Sequence, residues 1–184
     1  MVLSKQTILI LSSLLYAATA ITVPGVTVPD TPEGLVILAQ EVVDDGEGIL
    51  TFYGDADPVA AALSKREESE LSKRCGSNSL SCYSGHRANA WTCSQLIYQV
   101  EKSSTQLKQS PRSICKTVSG KQCCISWARA VSSGQEKNLA SAGYRVLEGC
   151  NVWNDGTVSG LTRDTQIGNT CTTQCLSDRA DGCE

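Results

Sequence analysis

The chain has 184 residues and a formal net charge of −3 at pH 7. This length favours one globular domain, and the small charge excludes the strongly basic character of a nucleic-acid-binding protein. All ten cysteines lie between Cys75 and Cys183. The chain therefore divides into a cysteine-free first part and a cysteine-rich second part.

Residues 1–20 have the features of a secretory signal peptide. Lys5 supplies a positive charge ahead of a short apolar run from Ile8 to Ala18. The next residues complete a small-x-small pattern, which predicts cleavage after Ala20. The run is too short for a membrane anchor, since a span needs about 20 apolar residues. We therefore expect secretion to the extracellular space and disulfide formation on the way.

Residues 21–74 form an acidic segment, which we interpret as a pro-segment. It carries eleven acidic against four basic residues. Two dibasic pairs lie near its end, Lys65-Arg66 and Lys73-Arg74, and the second directly precedes Cys75. Such pairs suit a kexin-type protease, so this protease is an expected partner during maturation. We predict cleavage after Arg74, with Arg66 as the alternative site and two ordinary surface pairs as the simpler interpretation.

Two apolar runs lie inside the pro-segment. Residues 35–39 predict a short helix or a strand, and residues 48–53 predict a strand. We hypothesise that these runs shield apolar surface of the following domain while it folds. Refolding yields with and without residues 21–74 test this idea, and equal yields would reject it.

The mature cysteine-rich domain, residues 75–184, mixes helical and strand patterns. Apolar residues at helical spacing predict helices at about 87–102 and 135–148. Strand-like runs, the first two joined by a turn in a hairpin, lie at 113–118, 122–128 and 161–167. We therefore expect an α+β fold, with two helices packed on a small antiparallel β-sheet and stapled by five disulfides.

The cysteines are the strongest pattern in the chain, and all ten are predicted to form disulfides: Cys75, Cys82, Cys93, Cys115, Cys123, Cys124, Cys150, Cys171, Cys175 and Cys183. Cys123 and Cys124 are adjacent on a predicted strand, where neighbouring side chains point to opposite faces. We expect them to bridge to different partners, with a strained vicinal bridge as the alternative. Ten cysteines beside one histidine favour disulfides over a metal site, so no metal or other cofactor is expected.

Catalysis has little support in the sequence. His86 is the single histidine, which excludes an acid–base mechanism with two histidines, and no nucleophile-elbow sequence is present. A carboxylate pair is the remaining enzymatic alternative, and its candidates are Glu101, Glu136, Glu148, Asp155, Asp164, Asp178 and Asp181. Their spacing singles out no pair, so we expect a protein without catalytic residues.

A few residues of the mature domain are candidates for a binding surface. Trp91, Trp127 and Trp153 are expected to pack in the core or on disulfides, with an aromatic ligand-binding surface as the alternative. Trp153 lies beside a turn and is therefore expected to be the most exposed of the three. Lys116 and Lys121 flank the predicted hairpin turn. The candidate surface is therefore Trp153, Lys116 and Lys121, with a solvated face as the simpler interpretation.

Three blocks of sequence resemble the fungal secreted proteins that carry a WD-like domain. They are Lys73–Ser77, Cys123–Trp127 and the C-terminal block Cys171–Cys183, and the similarity extends over 75–184. The resemblance implies a fungal, extracellular, cysteine-rich protein and supplies no mechanism.

The order of the predicted elements is also similar, more loosely, to smut-type killer toxins and to the necrosis-inducing effector domain, although the cysteine spacing differs. This similarity implies an effector or toxin role and supplies no functional residue. Together with the lack of catalytic residues and the small charge, it leads us to expect a non-enzymatic effector-like or toxin-like protein that binds an extracellular protein, glycan or membrane target, with no nucleic-acid partner. A structural protein of the cell wall or surface and a small hydrolase using a carboxylate pair are the alternatives.

Overall fold

The computed structural model describes residues 31–43, 48–56, 75–107, 112–131, 133–151 and 155–183. The predicted signal peptide and the dibasic pairs lie outside these residues. In chain order the elements are β1 (Leu35–Val42), β2 (Ile49–Asp55), β3 (Ser79–Cys82), β4 (Ala88–Asn89), α1 (Ala90–Lys102), β5 (Ser113–Val118), β6 (Lys121–Trp127), a 3₁₀ turn (Glu136–Leu139), α2 (Ala140–Gly149), β7 (Thr157–Val158), β8 (Gly160–Ile167) and β9 (Thr170–Ser177).

The described part of the chain is dominated by one antiparallel sheet. Its seven strands follow the order β1-β2-β5-β6-β9-β8-β3, and β4 pairs with β7 in a separate two-stranded sheet. The expected fold of two helices on a small sheet is therefore wrong. Two of the additional strands, β1 and β2, come from the segment interpreted as a pro-segment. A third, β9, is a largely buried strand that was not predicted because its sequence is rich in threonine and lacks a long apolar run.

The helices pack through the faces that the sequence pattern predicted. Helix α1 begins after Asn89, whose side-chain oxygen accepts a hydrogen bond of 3.0 Å from the backbone N–H of Thr92. Such a cap typically stabilises a helix by about 1 kcal/mol. Helix α2 approaches α1 closely at Gly143, where an added Cβ would lie 3.0 Å from the side chain of Ile97. The absence of a side chain at this position lets the two helices share one core with the sheet.

All ten cysteines are paired, in the combinations Cys75–Cys171, Cys82–Cys150, Cys93–Cys123, Cys115–Cys124 and Cys175–Cys183. The prediction that Cys123 and Cys124 have different partners is confirmed. Cys123 joins β6 to α1, whereas Cys124 joins β6 to its neighbour β5. The alternation of side chains along β6 thus sends one bridge to the helical face and the other to the opposite face of the sheet.

Strands β1 and β2 form a hairpin, called here the leader hairpin, at one edge of the sheet. The run at 35–39, for which helix and strand were both open, is a strand, and the run at 48–53 is a strand as predicted. Strand β2 pairs with β5 from Ile49 opposite Thr117 to Tyr53 opposite Ser113. The first two strands of the chain are therefore continuous with the sheet of the cysteine-rich domain.

Candidate binding surface

The two described residues of the predicted binding surface, Lys116 and Lys121, do not form a shared exposed patch. Lys116 is completely buried, which contradicts its assignment to an exposed patch. It lies on β5, an interior strand between β2 and β6 on which five of the six residues are buried. Lys121 is exposed at the start of β6. Trp153 is outside the described residues, as are the predicted processing residues Ala20, Lys73 and Arg74.

The tryptophans divide between core and surface. Trp127, at the end of β6, is 1% exposed and belongs to the main hydrophobic core, as the sequence predicted. Trp91 is 53% exposed on α1, which contradicts the expected core position. The helical pattern that buries Cys93 and Ile97 turns position 91 outward.

The outer surface of α1 carries an exposed aromatic group. Tyr98 is 57% exposed and follows Trp91 by seven residues, about two helical turns, so both lie on the same side of the helix. The ammonium nitrogen of Lys102 lies 5.2 Å from the centroid of the Tyr98 ring, within the range of a cation–π interaction. We call Trp91, Tyr98 and Lys102 the aromatic face.

Helix α2 borders the aromatic face through Tyr144. Its hydroxyl donates a hydrogen bond of 3.2 Å to a carboxylate oxygen of Glu101 on α1. Partial burial raises the pKa of Tyr144 above its ordinary value, and the hydrogen bond to Glu101 adds to this effect, with further contributions from Tyr98 and Glu148. These interactions link a third aromatic residue, Tyr144, and two carboxylates, Glu101 and Glu148, to the same surface.

The seven-residue spacing of Trp91 and Tyr98 was available in the sequence as a signal for this surface. It was missed because tryptophans in a domain with few large apolar residues were assigned to the core.

His86 lies in an exposed turn beside a groove of about 260 Å³. Its Nδ1 is 3.5 Å from a carboxylate oxygen of Asp178, and both side chains are largely exposed. The backbone of His86 has a φ of 52°, and its carbonyl accepts a hydrogen bond of 3.1 Å from the N–H of Asp178. The pair thus fixes a turn against the end of β9.

One of the candidate carboxylates lines a cavity. Glu136 is 8% exposed and borders a cavity of about 360 Å³ between the leader hairpin and the domain, together with Glu41 from β1. Burial raises the pKa of Glu136, a hydrogen bond from Ser103 opposes the rise, and the negative charge of Glu41 adds to it. The pairing of these two carboxylates was not predicted, because Glu41 was assigned to the pro-segment.

Neither a metal cluster nor a membrane-spanning helix is found among the described residues. The described residues include no group of three or more His, Cys, Asp or Glu side chains arranged to hold a metal ion. No helix in the described part of the chain is long and apolar enough to cross a membrane.

Comparison with known proteins places the chain in a family. A family model described as Fungal WD-like matches residues 57–183, which is more than half of the chain and includes all ten cysteines. No curated protein and no solved structure matches significantly. The chain therefore belongs to the fungal WD-like family, and the match leaves the leader hairpin outside the family region.

Proposed function

We propose that this member of the fungal WD-like family is a secreted, non-enzymatic binding protein that acts in an effector-like or toxin-like manner on a target outside the fungal cell. The observation that carries the proposal is the aromatic face on α1. Exposed tryptophan and tyrosine side chains are unusual on a solvated helix and supply large contact areas in recognition sites. Lys102 and Glu101 add charges at the border of this apolar area.

The scaffold beneath the aromatic face supports rigid presentation of these side chains. Cys93, two residues after Trp91, is bonded to Cys123 on β6, which fixes α1 to the sheet. The opposite side of α1, including Leu96 and Ile97, is fully buried. A rigid surface loses little conformational entropy when it binds, and this favours affinity. The target that fits this surface is an extracellular protein or glycan with apolar area and complementary charge.

A binding assay with two sets of variants tests the proposal. The purified secreted protein is incubated with intact cells of prospective host organisms and with fungal wall material, and the bound fraction is measured after sedimentation. We expect Trp91→Ala combined with Tyr98→Ala to reduce binding to host cells at least about tenfold, as for interface hot spots. Tyr83→Ala is the matched control, since Tyr83 is another exposed aromatic residue, at 45%, and lies outside α1, in the segment between β3 and β4 that lines the groove beside His86.

The outcomes separate the proposal from its alternatives. Unchanged host-cell binding in the double variant would reject the aromatic face as the binding site. Tight retention by the fungal wall, with no host-cell binding, would instead favour a structural protein of the wall. A hydrolytic activity that Glu136→Gln abolishes would instead favour a hydrolase built on Glu41 and Glu136, which line the same cavity.

A further inference from the structure

The leader hairpin contributes side chains to the interior of the domain. Along β2, Ile49, Thr51 and Tyr53 are buried, at 7%, 4% and 1% exposure. This alternation is that of a strand with one face against a core. Tyr53 packs in a small cluster with the Cys115–Cys124 bridge and Ala180. These contacts are made with residues far along the chain and do not depend on the peptide connection between residues 56 and 75.

Polar contacts fix the far end of β2. Both carboxylate oxygens of Asp55 accept hydrogen bonds of 3.1 Å from the guanidinium of Arg112. The same guanidinium donates to the backbone carbonyls of Trp127, at 2.9 Å, and Ala128, at 2.6 Å. The backbone N–H of Arg112 donates to the carbonyl of Tyr53 at 2.7 Å. Arg112 thus links the leader hairpin to the end of β6, and its charge is matched by Asp55.

The start of β2 is fitted to β5 just as closely. Gly48 has a φ of +130°, and an added Cβ would lie 2.5 Å from the carbonyl oxygen of Thr117. Only a residue without a side chain allows this approach of the two backbones. The contact between β2 and β5 is therefore close at one end, largely buried along its length and charged at the other end.

We propose that the edge of β5 is a strand-docking site for the leader hairpin, and that the hairpin stays bound there as a separate, non-covalent chain after cleavage at Lys73-Arg74. Maturation then yields a two-chain protein in which residues 75–184 carry the disulfides and the leader hairpin completes the sheet. This inference rests on the predicted cleavage and not on the proposed function. The docking site lies toward the edge of the sheet opposite β3 and does not include the aromatic face.

Controlled cleavage of the intact precursor tests the inference. The purified precursor is cut after Arg74 with a kexin-type protease, or with a site-specific protease whose recognition sequence replaces Glu67–Arg74. The product is passed through a size-exclusion column under native, non-reducing conditions, and the domain peak is analysed by denaturing mass spectrometry. We expect the leader fragment to elute with residues 75–184 in equal amounts.

Two substitutions on the leader hairpin provide the matched comparison. Tyr53→Ala removes the buried ring and should reduce the retained leader fragment at least about tenfold, since large-to-small core changes are strongly destabilising. Val42→Ala truncates an apolar side chain that is 59% exposed and should leave retention unchanged. If Tyr53→Ala prevents secretion of the precursor, Asp55→Asn takes its place, with partial loss expected.

Two results would overturn the inference. The first is separation of the wild-type leader fragment from the domain on the native column. The second is equal retention of the leader in the Tyr53→Ala, Asp55→Asn and Val42→Ala proteins, because retention would then not depend on the docked strand. Neither result affects the host-cell binding assay, so the two proposals fail independently.

Discussion

Replacement of Gly168 by alanine should be among the most destabilising single changes in the domain. Gly168 lies in the turn between β8 and β9 with a φ of +59°. A Cβ at this position would overlap the carbonyl oxygen of Ser133 and lie 2.9 Å from the Cα of Gly134, whereas carbon atoms pack best at about 3.5–4.0 Å. The obstacle is backbone, and the carbonyl of Gly134 is itself held by a hydrogen bond of 2.8 Å from the N–H of Leu107.

Two costs add in the Gly168→Ala protein. The left-handed conformation costs an alanine about 1–2 kcal/mol, and forced displacement of packed backbone adds about 1–3 kcal/mol. We expect the free energy of unfolding to fall by about 2–5 kcal/mol, a large part of the usual margin of about 5–15 kcal/mol. Urea denaturation with the disulfides intact, monitored by the fluorescence of buried Trp127, measures this loss.

Gly120→Ala is the control that isolates the steric part. Gly120 has a φ of +74° in the turn between β5 and β6, but nothing lies within 4 Å of the position of its Cβ. Its replacement should cost only the conformational term of about 1–2 kcal/mol. Equal losses in the two proteins would refute the close approach of the 133–134 segment to the β8–β9 turn.

Two further predictions concern the disulfides and the buried acid. Replacing Cys82 and Cys150 by alanine removes a bridge between residues 68 apart and should lower the free energy of unfolding by about 4 kcal/mol. The same change at Cys175 and Cys183, which are 8 residues apart, should lower it by about 2.5 kcal/mol. Chemical denaturation ranks the two losses, and the reverse order would contradict the chain-entropy argument. Because the pKa of Glu136 is raised in the folded state, its carboxyl lowers stability as the pH rises through that pKa. Glu136→Gln should therefore match the wild type in acid and exceed it in unfolding free energy near neutral pH; a gain that is the same at every pH would show that ionisation is not the cause.

The sequence predicted the local elements of the domain better than their assembly. Helix α1 begins within a few residues of the expected position because the spacing of Cys93, Ile97 and Val100 reflects a buried face and Asn89 supplies a cap. The hairpin of β5 and β6 followed from β-branched runs on either side of a glycine turn. Patterns of this kind involve residues close together in the sequence, so they can be recognised from one sequence alone.

The assembly depended on pairings between distant residues, and these have no local signal. Strand β2 pairs with β5, about 60 residues later in the chain. The end of the acidic segment at residue 74 indicated a boundary between two units, whereas the sheet contains strands from both sides of it. The burial of Lys116 has the same origin, because its strand becomes interior only when β2 is in place. The disulfide partners likewise depend on the order of strands in the sheet, and the spacing of the cysteines along the chain does not determine that order.

The order of strands also sets when the sheet can be completed during synthesis of the chain. The earliest strands in the chain, β1, β2 and β3, occupy the two outer margins of the sheet, whereas β9, near the end of the chain, lies between β6 and β8. Until residues 170–177 are available, β6 has no strand partner on one side. The pair β8 and β3 is then not part of the main sheet, although α2 and the Cys82–Cys150 bridge connect it to the domain. Completion of the sheet must therefore wait for β9. A chain that stops before β9 has a divided sheet and lacks three cysteines, Cys171, Cys175 and Cys183.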